Sequence, residues 1–279
     1  MIVAKTLEEF LFARNILKER GSIGFVPTMG ALHQGHLSLV EQSVKNNKIT
    51  VVSIFVNPTQ FNNKQDLESY PRTLDADCDL LENAGVDIVF APHVEDIYPV
   101  PCDEVFDLGG LDKYGEGPRR PGHFNGVAQV VTRLFDIVRP NFAYFGEKDF
   151  QQVAIIKYFV KNLNYPITIV QCPILREEDG LAKSSRNTLL TKEQREAAPH
   201  IYKCIKKAVE YAKSLTPKEV IETVTKEINS NSLLETEYVE LVDANLLKPI
   251  EKWEDANEIQ LWCAVYAKPV RLIDNIKIK

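Results

Sequence analysis

The sequence predicts an α/β protein, in which crossover units build a parallel sheet over the first two thirds of the chain and a smaller α+β domain follows. Three observations carry this. Short β-branched runs alternate with segments of helical period, the alternation ends near Cys172-Pro173, and after Arg186 the chain turns helix-rich before supplying two further strand candidates.

In chain order, the strand candidates of the first part are residues 22–26, 50–56, 86–90, 142–145 and 167–171, each a short run rich in β-branched and aromatic side chains. Between the third and fourth, Val127, Val130, Val131, Leu134, Phe135 and Val138 recur at three and four residues, which predicts the buried stripe of one helix. Ile155, Ile156, Phe159 and Val160 predict another. Residues 238–242 and 259–266 are the strand candidates of the second part. The boundary, residues 173–187, has no Gly/Ser-rich run, so it reads as a hinge and not as a free tether.

Composition excludes several classes. The chain has 279 residues, 44% hydrophobic and 26% charged, as in ordinary globular proteins. A formal net charge of -6 argues against nucleic-acid partners, which call for a basic face. Lys203, Lys206 and Lys207 read as a solvated helix face. Five cysteines without a Cys-x-x-Cys pair fit a reducing compartment. Met1 to Lys5 runs into Glu8 and Glu9 without the apolar core of a signal peptide, and no apolar stretch approaches the ~20 residues that span a bilayer. The expectation is a cytoplasmic protein with no membrane partner.

Polar segments sit where ligands collect in parallel sheets, beyond the carboxyl ends of strands. Pro27-Thr28-Met29-Gly30-Ala31-Leu32-His33-Gln34-Gly35-His36 follows the first strand, which ends at Val26, Asn57-Pro58-Thr59-Gln60-Phe61 the second, and Gly146-Glu147-Lys148-Asp149 the fourth. His33 and His36 fall on or just before the first turn of a helix, where backbone N–H groups and the helix dipole attract phosphate and imidazoles add directed donors. Gly30 and Gly35 let a nucleotide approach the backbone. A pair of solvated loop histidines is the bland reading of the same spacing, and a metal pair a third one without an obvious further ligand. Lys148 can reach phosphate and Asp149 can accept from ribose hydroxyls, although an exposed turn would look the same. Gln60 and Gln152 suit a small substrate with hydroxyls and a carboxylate. Farther on, Gly180-Leu181-Ala182-Lys183-Ser184-Ser185-Arg186-Asn187 gathers hydroxyls and a guanidinium suited to polyphosphate.

Taken together, these segments, with Tyr70-Pro71-Arg72-Thr73 and Arg120-Pro121-Gly122-His123-Phe124-Asn125-Gly126-Val127, resemble the pantoate–β-alanine ligases, the pantothenate synthetase family of the nucleotidylyltransferase superfamily. The match covers most of the first 190 residues. The resemblance implies a Rossmann-like domain over residues 1–175, a smaller C-terminal lid domain over 176–279, use of ATP with Mg2+, and a homodimer. It implies that pantoate and β-alanine are joined through pantoyl adenylate, with release of AMP and pyrophosphate. By matching position, Met29, Gly30, Ala31, Leu32, His33, Gln34, Gly35, His36, Gly146, Glu147, Lys148, Asp149, the backbone at Leu175, Lys183, Ser184, Ser185 and Arg186 would contact ATP. His36 would donate a proton, with His33, Lys148 and Arg186 as its catalytic partners. Gln60 and Gln152 would hold pantoate, Gln60 would also face β-alanine, and Asn57 is grouped with them. Asp75 and Asp77 are candidates for Mg2+, whose ligands stay open. Lys183 departs from the family, which has an apolar residue there; its ammonium would meet phosphate or point to solvent. An adenylyltransferase or aminoacyl-tRNA synthetase, and a nucleotide sensor without turnover, are the competing readings.

Overall fold

A computed structural model describes residues 1–61, 67–68, 70–100 and 102–279. The chain separates into two compact units. The first comprises Met1–Asp112, Gly117–Glu147 and Gln152–Pro173; the second comprises Lys113–Glu116, Lys148–Gln151 and Ile174–Lys279.

The first unit runs β1 (Ile2–Ala4), α1 (Leu7–Leu17), β2 (Ile23–Thr28), α2 (Gln34–Asn46), β3 (Ile49–Ile54), α3 (Leu74–Asn83), β4 (Ile88–Phe90), α4 (His123–Val138), β5 (Phe142–Gly146), α5 (Phe150–Asn162, of which Phe150 and Gln151 group with the second unit) and β6 (Thr168–Cys172). Among the described residues the sheet order is β1-β4-β3-β2-β5-β6, every pair parallel. Each expected strand of this part is present, within a few residues of its expected ends. β2 continues through Pro27, which a central strand would not tolerate. It does so because β5 pairs only with Gly24 and Phe25, leaving Pro27 bonded on the β3 side alone. The stripe from Val127 to Val138 is buried along α4, and Ile155, Ile156, Phe159 and Val160 are buried on α5. Burying a Val, Leu or Phe side chain is worth about 1.5–3 kcal/mol, which offsets the entropy of ordering the helices.

From β2 the chain builds outward to β3 and β4, then crosses to β5 and β6 on the other side. Strand order therefore reverses between β2 and β5, where the connecting loops part and leave a crevice at the carboxyl ends. The loops after Thr28 and Gly146 leave the sheet at that point.

The second unit holds α6 (Lys192–Ala197), α7 (Pro199–Tyr211), α8 (Pro217–Asn229), β7 (Glu235–Asp243), β8 (Ile259–Ala267) and β9 (Val270–Lys277), its strands forming an antiparallel sheet in that order. Ile201, Cys204, Ile205 and Ala208 make the apolar stripe of α7, and Val220, Val224 and Ile228 that of α8; both pack into one core with Leu241, Leu261, Cys263 and Val265. A capping box of Thr216 and Glu219, with Pro217 in the first turn, sets the start of α8.

Candidate active site

The first unit positions its paired histidines through the α2 N-terminus. His33 is the N-cap, its Nδ1 accepting the Gly35 N–H at 3.0 Å, while the His33 N–H approaches His36 Nδ1 at 3.4 Å. The two rings stack, centroids 4.1 Å apart. Each ring therefore turns Nδ1 toward the backbone of the α2 N-terminus, which fixes the orientation of the imidazole. Two oriented imidazoles thus accompany a helix N-terminus at the crevice.

The corner before them is held by Asp77. Its carboxylate accepts the Ala31 N–H at 3.0 Å, the Leu32 N–H at 2.8 Å and the Thr73 hydroxyl at 3.1 Å. Gly30 and Ala31 both have positive φ, 81° and 50°. A Cβ at Gly30 would also press on Ile54 and on Asp77 itself, so glycine is required there. Gln34 and Gly35 follow in the first turn of α2, and Met29 lies against the Gln60 amide.

Asn57 is 1% exposed, and its amide is spent on the Gly126 carbonyl, the Tyr98 hydroxyl, Thr59 and Gln60 Oε1. Substrate would find that side chain already engaged. Gly126 lies so close to Thr59 that a Cβ would fall 2.4 Å from its carbonyl oxygen. Arg120 donates to His123 Nε2 at 3.1 Å, which leaves Nδ1–H to bond the Gln60 carbonyl at 3.0 Å. Asn57, His123 and α4 thus seat the half-buried Gln60. Gln152 is half-buried on the first turn of α5, whereas its neighbour Gln151 is spent on the Glu116 N–H and the Tyr114 carbonyl. Gly146 ends β5 and Glu147 opens the turn after it.

In the second unit, Lys148 is half-buried and Asp149 exposed. The Lys148 carbonyl accepts Asn275 Nδ2 at 3.0 Å. Arg176 grips Asp274 with two bonds of 2.7 and 2.9 Å, donates to the Gly180 carbonyl at 3.1 Å and lies 3.6 Å from the Tyr202 ring centroid. Burial pushes the Asp274 carboxyl up, and Arg176 is the foremost group opposing that shift. The Leu175 carbonyl accepts the Lys183 N–H at 2.9 Å, closing a hairpin that leads to Ser184. Ser184 caps the turn Ser185–Leu189 by accepting the Arg186 N–H at 3.3 Å; the Arg186 side chain is exposed. The Lys183 ammonium pairs with Glu177 at 2.7 Å, because the hairpin brings the two side chains together.

Asp75 and Asp77, the candidates for Mg2+, sit in different surroundings. Asp75 is exposed on the first turn of α3, and both Asp77 oxygens already serve backbone donors. Among the described residues no trio of His, Cys, Asp and Glu is arranged to hold a metal ion. None of their helices is long and apolar enough to cross a membrane. Tyr98, His123, Arg176, Asp274 and Asn275 escaped the sequence reading as supporting residues. His123 lay inside a matched motif and could have been flagged; Asn275, 127 residues from the carbonyl it holds, had no local signal.

A family profile described as Pantoate-beta-alanine ligase matches residues 3–277. The pantothenate synthetase of Porphyromonas gingivalis is 52% identical over 266 residues, 95% of each chain, and that of Bacteroides thetaiotaomicron 51% over 280 residues, 100% of this chain and 99% of its own. A crystal structure of the Thermus thermophilus pantothenate synthetase superposes with a TM-score of 0.92 at 40% identity, covering 100% of this chain and 99% of that one. The Francisella tularensis pantoate-beta-alanine ligase, complexed with beta-gamma ATP and beta-alanine, gives 0.82 at 38% identity, covering 100% and 98%.

Proposed function

Because the chain belongs to the pantoate-beta-alanine ligase family, we propose that it condenses pantoate with β-alanine at the expense of ATP, through a pantoyl-adenylate intermediate, releasing AMP and pyrophosphate. The observation that carries the reading is the loop at the strand-order reversal, where His33 and His36 turn Nδ1 to the backbone of the α2 N-terminus and stack on one another.

A carboxylate is a poor electrophile, so the acid must first be activated. A pantoate oxygen attacks the α-phosphorus of ATP and the bond to pyrophosphate breaks. Negative charge builds on phosphate oxygens, and fixed donors stabilise it without reorganising. His33 and His36 supply hydrogen-bond donors, His36 standing at the position that the family resemblance assigns to the proton donor; Lys148 and Arg186 supply charge; Ser184 and Ser185 supply hydroxyls. Met29 to Gly35, Gly146, Glu147, Asp149, the Leu175 backbone and the Lys183 backbone complete the nucleotide contacts. Magnesium, when bound with ATP, would neutralise part of the phosphate charge, as is usual for an ion that keeps most of its water. Gln60 and Gln152 hold pantoate, Gln60 also serves β-alanine, and Asn57 acts by seating Gln60. In the second step the neutral amine of β-alanine attacks the acyl carbon, the tetrahedral species expels AMP, and the amine proton is lost. The smaller domain serves as the lid that spares the anhydride from water. A cytoplasmic homodimer completes the proposal, supported by the family and by five unpaired thiols.

Omitting each substrate in turn tests it. Pyrophosphate should appear with ATP and pantoate alone, and pantothenate only when β-alanine is added. His36→Ala and Lys148→Ala should each lower pyrophosphate release by about 100-fold or more, the scale of losing one preorganised donor. Near-normal release by both variants would remove these residues from the mechanism.

A further inference from the structure

We propose that Asn275, seated by the buried Arg176–Asp274 pair, is a positioning residue for Lys148, setting where its ammonium stands during adenylate formation. This rests on the assignment of Lys148 to ATP.

The Asn275 amide has a defined orientation. Its Oδ1 accepts Gln260 Nε2 at 2.7 Å, which leaves Nδ2 to donate to the Lys148 carbonyl at 3.0 Å. Its main-chain N–H bonds Asp274 Oδ1 at 2.8 Å, and Arg176 holds the Asp274 carboxylate from the other side. Gln260 and Asn275 are both 2% exposed. Two amides buried on adjacent strands cost free energy unless their donors and acceptors are used, and an apolar pair would serve the sheet equally well. What an apolar pair could not do is hold a carbonyl on another segment. Lys148 needs such a partner because it lies in the short turn Glu147–Asp149, between the end of β5 and the start of α5, where neither a sheet nor a long helix secures the backbone.

The same pair reaches a second stretch assigned to the nucleotide. Arg176 bonds the Gly180 carbonyl and bridges to Ala182 in the hairpin between Leu175 and Lys183. One buried carboxylate therefore braces the segment carrying Lys148 and the hairpin leading to Ser184 together.

The test is a double-mutant cycle on pantoate-dependent pyrophosphate release in a single turnover, with Asn275→Ala, Lys148→Ala and the double variant in the full-length chain. If Asn275 acts through Lys148, Asn275→Ala slows release by about 10-fold or more in the native background and by less than about 2-fold once Lys148 is alanine, because interacting residues are not additive. Val224→Ala, in the core of the same unit, serves as the stability control and should lower the melting temperature without this coupling. An equal slowing by Asn275→Ala in both backgrounds would make Asn275 merely structural and overturn the proposal, as would a normal rate in the native background. If Asn275→Ala does not fold, Asn275→Ser is carried through the same cycle with the same outcomes. A full rate for Lys148→Ala would instead end the ATP assignment, and this proposal with it; a slow Lys148→Ala beside a full-rate Asn275→Ala ends the proposal alone.

Discussion

Replacing Asp77 by asparagine probes whether this carboxylate holds the Gly30–Leu32 corner or binds a metal. Asp77 is 2% exposed and accepts two backbone N–H groups and one hydroxyl. Asparagine fills the same volume but exchanges one oxygen for a donor. With the NH2 group in the Oδ1 position it faces the Leu32 N–H; in the Oδ2 position it faces the Ala31 N–H. Either way a donor meets a donor, while the Thr73 hydroxyl can rotate to accommodate the change. Leaving one such group unsatisfied costs about 1–3 kcal/mol, and the bonds to a charged acceptor are the stronger kind. A loss near 2–3 kcal/mol is released by moving the Gly30–Leu32 corner, and with it His33. If the transition state carries that cost, pyrophosphate release falls by about 30- to 150-fold, at a tenfold change per 1.4 kcal/mol. Single-turnover release is the assay, run over a wide range of Mg2+ concentration with the melting temperature alongside. A rate restored by raising Mg2+ would show that Asp77 is a metal ligand, and a native rate at ordinary Mg2+ would refute the claim that it holds the loop.

Lys183→Met should leave the KM for ATP within about 5-fold of native, since a half-exposed ion pair to Glu177 is worth at most about 1 kcal/mol; a rise well above tenfold in titrations of ATP would return the ammonium to the phosphates. The thiols of Cys172 and Cys204 are pushed up to about 11 by burial, from an ordinary value of 9.0. Their folded values exceed the unfolded ones, so the stability they contribute is full below about pH 9 and is lost as pH rises through 11. Denaturant midpoints should fall across that window, and mass spectrometry after iodoacetamide treatment at pH 8 should find both cysteines unlabelled in the folded protein. Labelling as fast as an unfolded control would contradict the burial of these thiols.

Periodicity was enough to locate the helices: the stripe from Val127 to Val138 has one reading because only a helix brings those spacings to one face. The inner parallel strands β2, β3 and β4 were equally legible, being buried along most of their length and therefore largely apolar. Two strands were not. β1 is three residues long, too short for a pattern. β9 buries Asp274 and Asn275, which read as surface residues until Arg176 and Gln260 are known to meet them. The histidine loop announced itself because the strand, the glycines and the helix lie together in the chain. Which polar side chains are engaged by the protein was not legible, as Asn57 and Lys183 show: each has the chemistry of a ligand-binding side chain, and each bonds to the protein here.

Short-range order was therefore encoded locally, in the alternation of strand and helix, in the glycine and histidine spacing after β2 and in the capping residues. Family membership lies at that level too, since its motifs are contiguous. Tertiary structure alone decided which polar side chains have their hydrogen bonds already engaged. Partners such as Asp77 with Ala31, or Asn275 with Lys148, lie 46 and 127 residues apart, and a buried donor or acceptor must find its complement in space wherever the chain happens to supply it.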